Sequence, residues 1–165
     1  MAGMSRRSHA LLAAVTALVV LVADQASKAW ARQALSPGHE VTVIGGWVWF
    51  KLETNTGATL GLLSGYNSLF IVVTLVIVLA VGVLVVQTKT VGSLGIAALG
   101  AIAGGALSNL VDRVRLARVT DFIEVHLWPT DFNLADAAIR IGVVLFVLAL
   151  LLELRRKPTR SQVSR

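Results

Sequence analysis

The stretch RVTDFIEVHLWPTDFNLADAAIRIGVVLFVLALLLEL, residues 118–154, joins three aspartates to an apolar run that is long enough to enter a bilayer. The aspartates are Asp121, Asp131 and Asp136, and the apolar run extends from about Ala135 to Leu152. A helix needs about 20 apolar residues to cross the hydrocarbon core. Because charges are expensive at that depth, these carboxylates require a structural or chemical reason.

The composition of the whole chain indicates an integral membrane protein. Of its 165 residues, 56% are hydrophobic and 15% are charged, and the mean hydropathy is +0.77. The net charge of +6 raises the question of a nucleic-acid partner, but the chain has little polar face on which to form a basic patch, so we expect none. The absence of Cys excludes disulfides, thiolate metal sites and a cysteine nucleophile.

Four segments have the length and apolarity of membrane spans, and we predict an all-α membrane bundle in a single integral membrane domain, residues 1–165. The predicted spans are residues 8–34, 68–86, 91–111 and 135–152. Between the first two, HEVTVIGGWVWFKLE (residues 39–53) has β-branched and aromatic runs on both sides of Gly45-Gly46, which predicts a β hairpin. This small β-rich subdomain would lie on the lipid headgroups, or be an ordered loop with no role towards substrate.

The positive-inside rule orients these spans. Arg6 and Arg7 precede the first span, Lys89 lies between the second and third, and a basic tail, residues 153–165, follows the fourth. With four spans, both termini are predicted to be cytoplasmic. The Trp residues are all predicted at the outer end: Trp30, Trp47, Trp49 and Trp128.

The N-terminus also resembles a cleaved signal peptide, with a basic start, an apolar core and an Ala-x-Ala sequence at residues 29–31. Asp24 and Lys28 argue against cleavage. Cleavage would also leave three spans and place the termini on opposite sides, so we expect the first span to remain.

Polar residues recur at helical spacing inside or beside the spans. Asp24 and Lys28 are four residues apart, and a self-compensating pair that snorkels at a helix end would explain them. In GGALSNLVDR (residues 104–113), the residues Asn109, Asp112 and Arg113 share a face with Gly105, and Arg113 can neutralise Asp112 locally. Helix packing through glycine with an ion pair at the interface would also explain this second cluster.

Two further clusters flank the outer side. Asn55 precedes a glycine-rich turn, where the backbone could approach a ligand closely, although such turns are common in loops. Asn133 and Asp136 share a face at the start of the fourth span, and Asp121 comes from the preceding loop. A helix cap alone would explain one of these acids.

Two aspartates from different segments suggest acid–base chemistry. Carboxylates about 3 Å apart share a proton, so that one acts as a base on water while the other polarises a carbonyl. A carboxylate-bound metal is the rival, but His9 and His39 are distant in sequence and His126 stands on an apolar stretch, so we expect no metal and no other cofactor.

Five ordered motifs resemble the lipoprotein signal peptidases (signal peptidase II), which are aspartic proteases of the bacterial inner membrane. They are ADQASK, NTGATLG, GGALSNLVDR, VTDF and FNLAD, and the resemblance covers about residues 15–152. It implies an aspartic endopeptidase that cuts a diacylglyceryl-modified prolipoprotein just before its lipidated cysteine, near the outer face of the membrane. The implied partners are that substrate and membrane lipid, with globomycin as an inhibitor; we expect a monomer.

The resemblance also implies roles for individual residues. Asp121 and Asp136 match the catalytic pair. The residues that match the family's supporting and substrate-binding positions are Asp24, Lys28, Asn55, Gly57, Asn109, Asp112, Arg113 and Asn133. Asp131 matches none of them and is expected to tolerate substitution by Asn, because nothing places it on the Asp136 face.

Three residues depart from the family pattern. Thr59 and Leu60 stand where the family usually has an aromatic motif, and Ser108 stands where it usually has Gly. These departures bear on the substrate groove and on inhibitor binding, and they leave the aspartate pair intact.

Polar residues within a membrane bundle are also typical of two other classes of protein. A small transporter or proton-conducting subunit would need charges through the depth of the membrane, but the second and third predicted spans are uncharged up to Asp112. A scaffold whose polar residues only pack helices would retain its function when the aspartates are replaced.

Overall fold

The computed structural model describes residues 5–36, 38–57, 66–88 and 91–156, which form four long helices and a small sheet. The helices are α1 (Arg6–Ala34), α2 (Asn67–Gln87), α3 (Ser93–Leu116) and α4 (Leu134–Arg156). The strands are β1 (Val41–Ile44), β2 (Val48–Asn55) and β3 (Val119–Val125). By length and composition, all four helices are apolar enough to cross a membrane. The prediction of a mostly helical membrane fold with four apolar helices is therefore confirmed.

Helix α3 continues beyond the end that was predicted for the third span. It runs on to Leu116 and ends at Ala117, which has a left-handed backbone with φ of 56°. Arg113 and Arg115 in the last turn stabilise this extension, because cations are favoured at the carboxyl end of a helix. The added turn holds Asp112 and Arg113 within regular helix.

The sheet has three antiparallel strands in the order β1-β2-β3. Strands β1 and β2 form the hairpin predicted between the first two helices, and Gly46 in the turn has a φ of +72°, which glycine adopts without strain. Strand β3 lies between α3 and α4 in the chain and was predicted as a loop. Placing the sheet between the first two helices was therefore incomplete: β3 pairs with β2, with Glu53 opposite Asp121.

Helix α3 is the centre of the bundle. In its apolar window, 61% of the residues are buried, against 11% in each of the other three helices. Its glycines permit this packing, because a Cβ at Gly100 would meet the backbone of Ala13 on α1, and one at Gly105 would meet the carbonyl of Ala135 on α4. Helices α1 and α4 therefore approach α3 closely enough to share polar contacts.

Some residues named from the sequence lie outside the described part of the chain. These are Thr59, Leu60, Lys89 and the tail beyond residue 156.

Candidate active site

Asp121 lies in strand β3 and is 2% exposed. Both of its carboxylate oxygens accept a hydrogen bond from an amide: Asn133 Nδ2 donates to Oδ1 at 2.6 Å, and Asn55 Nδ2 donates to Oδ2 at 3.1 Å. Burial, followed by the nearby charge of Asp136, raises the pKa of Asp121 from 3.8 to about 7, and the two amides oppose that rise. Near neutral pH this carboxyl therefore retains a proton for much of the time.

Asp136 lies in the first turn of α4, where a carboxylate is favoured by the helix dipole. Asn109 on α3 donates from Nδ2 to Asp136 Oδ1 at 2.8 Å. Asn133 links the two aspartates, because its Oδ1 accepts the backbone N–H of Asp136 at 2.9 Å while its Nδ2 bonds Asp121. The Asn133 side chain thus caps α4, which carries Asp136, and also hydrogen-bonds the carboxylate of Asp121.

Lys28 lies behind the pair and is fully buried. Its Nζ donates to Asn109 Oδ1 at 2.7 Å and forms ion pairs with Asp24 at 2.7 Å and Asp112 at 3.4 Å. The snorkelling explanation for Lys28 is therefore wrong. A buried ammonium requires such partners to offset its desolvation, and they fix the Asn109 side chain, which bonds Asp136.

The two buried acids of this cluster also bind backbone amides. Asp24 Oδ1 accepts the N–H of Ala135 at 2.8 Å, at the start of α4. Asp112 Oδ2 accepts the N–H of Thr120 at 3.0 Å, on the strand residue that precedes Asp121. Asp24 and Asp112 therefore anchor the two elements that carry Asp121 and Asp136.

Ser108, which departs from the family pattern, belongs to this polar cluster. Its hydroxyl donates to Asp24 Oδ2 at 2.7 Å. Gln25, which the sequence reasoning missed, donates from Nε2 to Ser108 Oγ at 3.0 Å and to Asp112 Oδ1 at 3.2 Å. The hydroxyl therefore adds a hydrogen bond between α1 and α3 that glycine does not provide. Gln25 follows Asp24 in the sequence, so the four-residue spacing of Asp24 and Lys28 already indicated this region of α1.

A polar cavity of about 200 Å³ opens beside Asp136 and beside Asn55, the residue that bonds Asp121. Its lining comes from the sheet, from three helices and from the segment before α4: Asn55, Gly57, Phe70, Arg113, Thr130, Asp131, Asp136 and Arg140. Gly57 is held at the rim, where its N–H donates to Asn55 Oδ1 at 3.0 Å. The cavity is thus lined by cations, carboxylates and amides together.

Within the described ranges, Arg113 does not form a direct ion pair with Asp112, the local contact that the sequence suggested, and Asp112 instead pairs with Lys28. The Arg113 guanidinium stacks over the Phe70 ring, 5.1 Å from its centroid, and lines the cavity with Asp136. Helical spacing correctly predicted the position of Arg113 on its helix. It did not predict the partner of the guanidinium, which is the Phe70 ring.

Asp131 and Arg140 are cavity residues that the sequence-derived set of site residues omitted. Asp131 lines the same cavity as Asp136, so the reason given for its tolerance, that nothing places it on the Asp136 face, is wrong. Its carboxylate pairs with Lys51 at 3.3 Å. Arg140 follows Asp136 by four residues on α4, and that spacing could have indicated from the sequence that the two side chains lie on one face of the helix.

Known proteins match both the sequence and the fold. The sequence is similar to the lipoprotein signal peptidase of Moorella thermoacetica, with 37% identity over 82% of this chain and 90% of the relative. The protein of that name from Pelotomaculum thermopropionicum is 39% identical over 81% and 87%. A bacterial membrane enzyme whose structure was determined by the in meso method at 2.3 Å resolution superposes with a TM-score of 0.82 at 28% identity, covering 92% of this chain and 94% of that one.

The family model described as Signal peptidase (SPase) II matches residues 16–152, which include every polar residue of the site described above. The chain is therefore a multi-pass membrane protein that belongs to the signal peptidase II family.

Proposed function

We propose that this protein is an aspartic endopeptidase that removes the signal peptide from diacylglyceryl-modified prolipoproteins by cutting just before the lipidated cysteine. The single observation that carries the aspartic assignment is the Asn133 bridge, which couples Asp121 to the helix turn of Asp136 at the edge of a polar cavity. Membership of the signal peptidase II family supports the class of substrate.

The raised pKa of Asp121 supports a pair that holds one proton near neutral pH. The ionised member takes a proton from water as the water oxygen attacks the scissile carbonyl carbon. The protonated member hydrogen-bonds the carbonyl oxygen and gives it its proton as the tetrahedral intermediate forms. Collapse of that intermediate breaks the C–N bond. The carboxyl that took the water proton gives it to the cysteine nitrogen, which leaves as an amine, and the other carboxylate takes back a proton from a hydroxyl of the intermediate.

The remaining polar residues position the reacting groups. Asn109, held by Lys28, fixes the Asp136 carboxylate. Arg113 and Asn55 line the cavity and offer donors to carbonyl groups of the substrate backbone. Groups fixed in this way need little reorganisation during the reaction.

The proposed setting is the outer side of a bacterial inner membrane, with both termini in the cytoplasm. A helical signal peptide would enter laterally between the helices, and its scissile bond would reach the cavity from the membrane. The three-stranded sheet would cover the substrate from above. No cofactor takes part in this scheme.

Replacement of either aspartate tests the aspartic mechanism. Asp121→Asn and Asp136→Asn each keep the size of the side chain but cannot share a proton, so we expect both to abolish cleavage of a synthetic lipidated peptide. Thermal unfolding in detergent checks that each variant remains folded.

Glu40→Gln is the matched control, because Glu40 is an exposed acid away from the cavity, and it should cleave at the normal rate. An unlipidated twin of the peptide tests the substrate class and should remain uncleaved. Normal cleavage by either aspartate variant would disprove the aspartic mechanism, whereas cleavage of both peptides would disprove the lipid requirement.

A further inference from the structure

A second, apolar groove of about 240 Å³ lies beside the polar cavity. It is lined by the end of β3, the segment before α4 and the first turns of α4: Val125, Trp128, Phe132, Ala137, Arg140 and Ile141. Except for Arg140, these side chains are apolar or aromatic. The groove therefore suits hydrocarbon and not a peptide backbone.

Arg140 forms part of the wall of both the groove and the polar cavity. Its guanidinium stacks over the rings of Trp128 and Phe132, with centroid distances of 5.0 and 5.2 Å. Within the described ranges, no carboxylate lies at ion-pair distance from it, and no hydrogen bond occupies its N–H groups. The aromatic rings hold the cation in place, and its N–H groups remain available to an acceptor on a ligand.

One short segment separates the two spaces. Phe132 pairs with Ile123 of β3 through two backbone hydrogen bonds of 2.9 and 3.0 Å, which fixes the segment in an extended form. Successive side chains of an extended chain point to opposite sides. Asp131 accordingly lines the polar cavity and Phe132 lines the groove. The groove therefore begins next to the carboxylates, with a fixed wall between them.

The groove opens on a side of α4 whose apolar side chains are exposed. Ile141 at its edge is 59% exposed, and Val144 further along the helix is 66% exposed. In a membrane, such exposed apolar side chains face lipid. Hydrocarbon can thus pass from the bilayer into the groove without crossing a polar surface.

We propose that this groove binds the glyceryl end and the first methylenes of one acyl chain of the substrate's diacylglyceryl group, and that Arg140 is a specificity-determining residue that donates to its ester oxygens. This proposal rests on the proposed function. The lipidated cysteine is the first residue after the scissile bond. Its lipid must therefore lie within one side-chain length of the reaction centre. The groove is apolar and adjoins the cavity through a common residue, Arg140.

The size of the groove limits what it binds. Sites for drug-sized ligands have volumes of about 300 to 1,000 Å³, so 240 Å³ accommodates only the beginning of a lipid. The rest of the acyl chain would lie along α4 in the bilayer. A bulk phospholipid could fill the same volume, and it is the rival occupant.

A kinetic experiment compares substrates that differ only in acyl-chain length. Ala137→Leu fills the groove, and Arg140→Leu removes the donors. With a long-chain diacylglyceryl peptide, both variants should raise KM about tenfold with little change in kcat. With a diacetylglyceryl peptide, which has no methylenes to bind, Ala137→Leu should have no effect and Arg140→Leu should still raise KM. Leu79→Trp is the control, because Leu79 is 69% exposed on α2, and α2 contributes no residue to the lining of the groove. This substitution should change neither KM nor kcat.

An equal effect of Ala137→Leu on both substrates, or no effect on either, would overturn the proposal. Absence of cleavage by the protein without substitutions would instead count against the proposed function. In that case a binding experiment tests the groove independently of cleavage. The probe is a lipidated peptide with a diazirine on the third acyl carbon, used with the Asp121→Asn variant.

The probe should label residues 125–141, and Ala137→Leu should reduce that labelling severalfold. A phosphatidylglycerol with the same diazirine distinguishes the rival occupant. If it labels the groove equally and excess lipidated peptide does not displace it, the groove holds bulk lipid and the proposal fails.

Discussion

The two aspartates of the site are held by different kinds of structure. Asp121 is in a strand, and two neutral amides bind its carboxylate, one on each oxygen. Asp136 is in the first turn of a helix, and its amide partner, Asn109, is itself bound by the buried cation Lys28. Burial and the nearby charge of Asp136 outweigh these two amides and raise the pKa of Asp121. The strand acid therefore depends on the balance between burial and its amide donors, whereas the helical acid depends on the packing that positions Asn109 and Lys28.

A change in the helix packing that positions Asp136 should strongly reduce the rate of cleavage. At Gly105, an added Cβ would lie 2.6 Å from the carbonyl oxygen of Ala135 and 2.8 Å from Ile139 Cγ1. Gly105→Ala should therefore push the start of α4 away from α3 and lengthen the bond from Asn109 to Asp136. Because a displacement of about 1 Å can reduce a rate about 100-fold, we expect a loss of that size in kcat of the lipidated-peptide assay.

Gly82→Ala is the matched control, because a Cβ at Gly82 on α2 meets no atom within 4 Å. It should leave the rate unchanged and the protein at least as stable, since alanine favours helix over glycine. Unchanged cleavage by Gly105→Ala would show that the α3–α4 spacing does not position Asp136.

The protonation of Asp121, which lies in the sheet, is best tested by varying the pH. A pair that shares one proton loses it as the pH rises, so cleavage should decline through about pH 7, the raised pKa of Asp121. The hydrogen bond from Asn55 lowers that pKa, so Asn55→Ala should raise the pKa further and move the alkaline limb of the rate profile to higher pH. Asn67→Ala removes an amide that bonds the Arg113 carbonyl and neither aspartate, and it should leave the limb in place. A limb that does not move in Asn55→Ala would contradict the assignment to Asp121.

Stability provides a second measure of the same group. A folded-state pKa of about 7 against 3.8 when unfolded means that the folded protein binds this proton more tightly, so stability should fall as the pH rises from about 4 to 7. Asp121→Asn should remove that part of the pH dependence and be the more stable protein at pH 8. Thermal unfolding of both proteins across this range measures the effect.

The parts of this architecture that depend on local spacing were predictable from the sequence. Apolar runs gave the four helices, and the Gly45-Gly46 turn between β-branched residues gave the hairpin. The four-residue interval from Asp24 to Lys28 gave their ion pair. Each signal lies within one turn of helix or one hairpin, so no knowledge of distant contacts was needed.

The parts that depend on distant contacts were missed. Strand β3 exists because β2 offers it an edge, and β2 lies more than 60 residues earlier in the chain. Arg113 was paired with its neighbour Asp112, but Lys28 on another helix competes for that carboxylate and Phe70 offers the guanidinium a ring. Asp131 reaches the cavity because its neighbour Phe132 pairs with Ile123. Local spacing contains no information on such pairings.

Asp131 lies on the cavity wall, and its replacement should have little effect. The side chains of Asp131 and Lys51 are 18% and 24% exposed, and Lys51 also pairs with Glu124 at 3.2 Å. Partially exposed ion pairs contribute less than about 1 kcal/mol, and Lys51 retains Glu124 when Asp131 is lost. Asp131→Asn should therefore lower the unfolding free energy by less than about 1 kcal/mol and leave kcat unchanged, which denaturant titration and the cleavage assay measure.

Tolerance of Asp131→Asn stays a prediction, but its physical ground is now the weakness of a partly solvated ion pair. Burial raises the pKa of Asp131 and Lys51 opposes that rise, so the substitution should matter least at low pH and at high salt, where the ion pair is weakest. Lys51→Met is the sharper variant, because it leaves both Asp131 and Glu124 without their cation and should destabilise the protein more than Asp131→Asn does. If Asp131→Asn instead abolished cleavage, as Asp136→Asn should, the reaction would need a third carboxylate, and a mechanism built on two aspartates alone would be wrong.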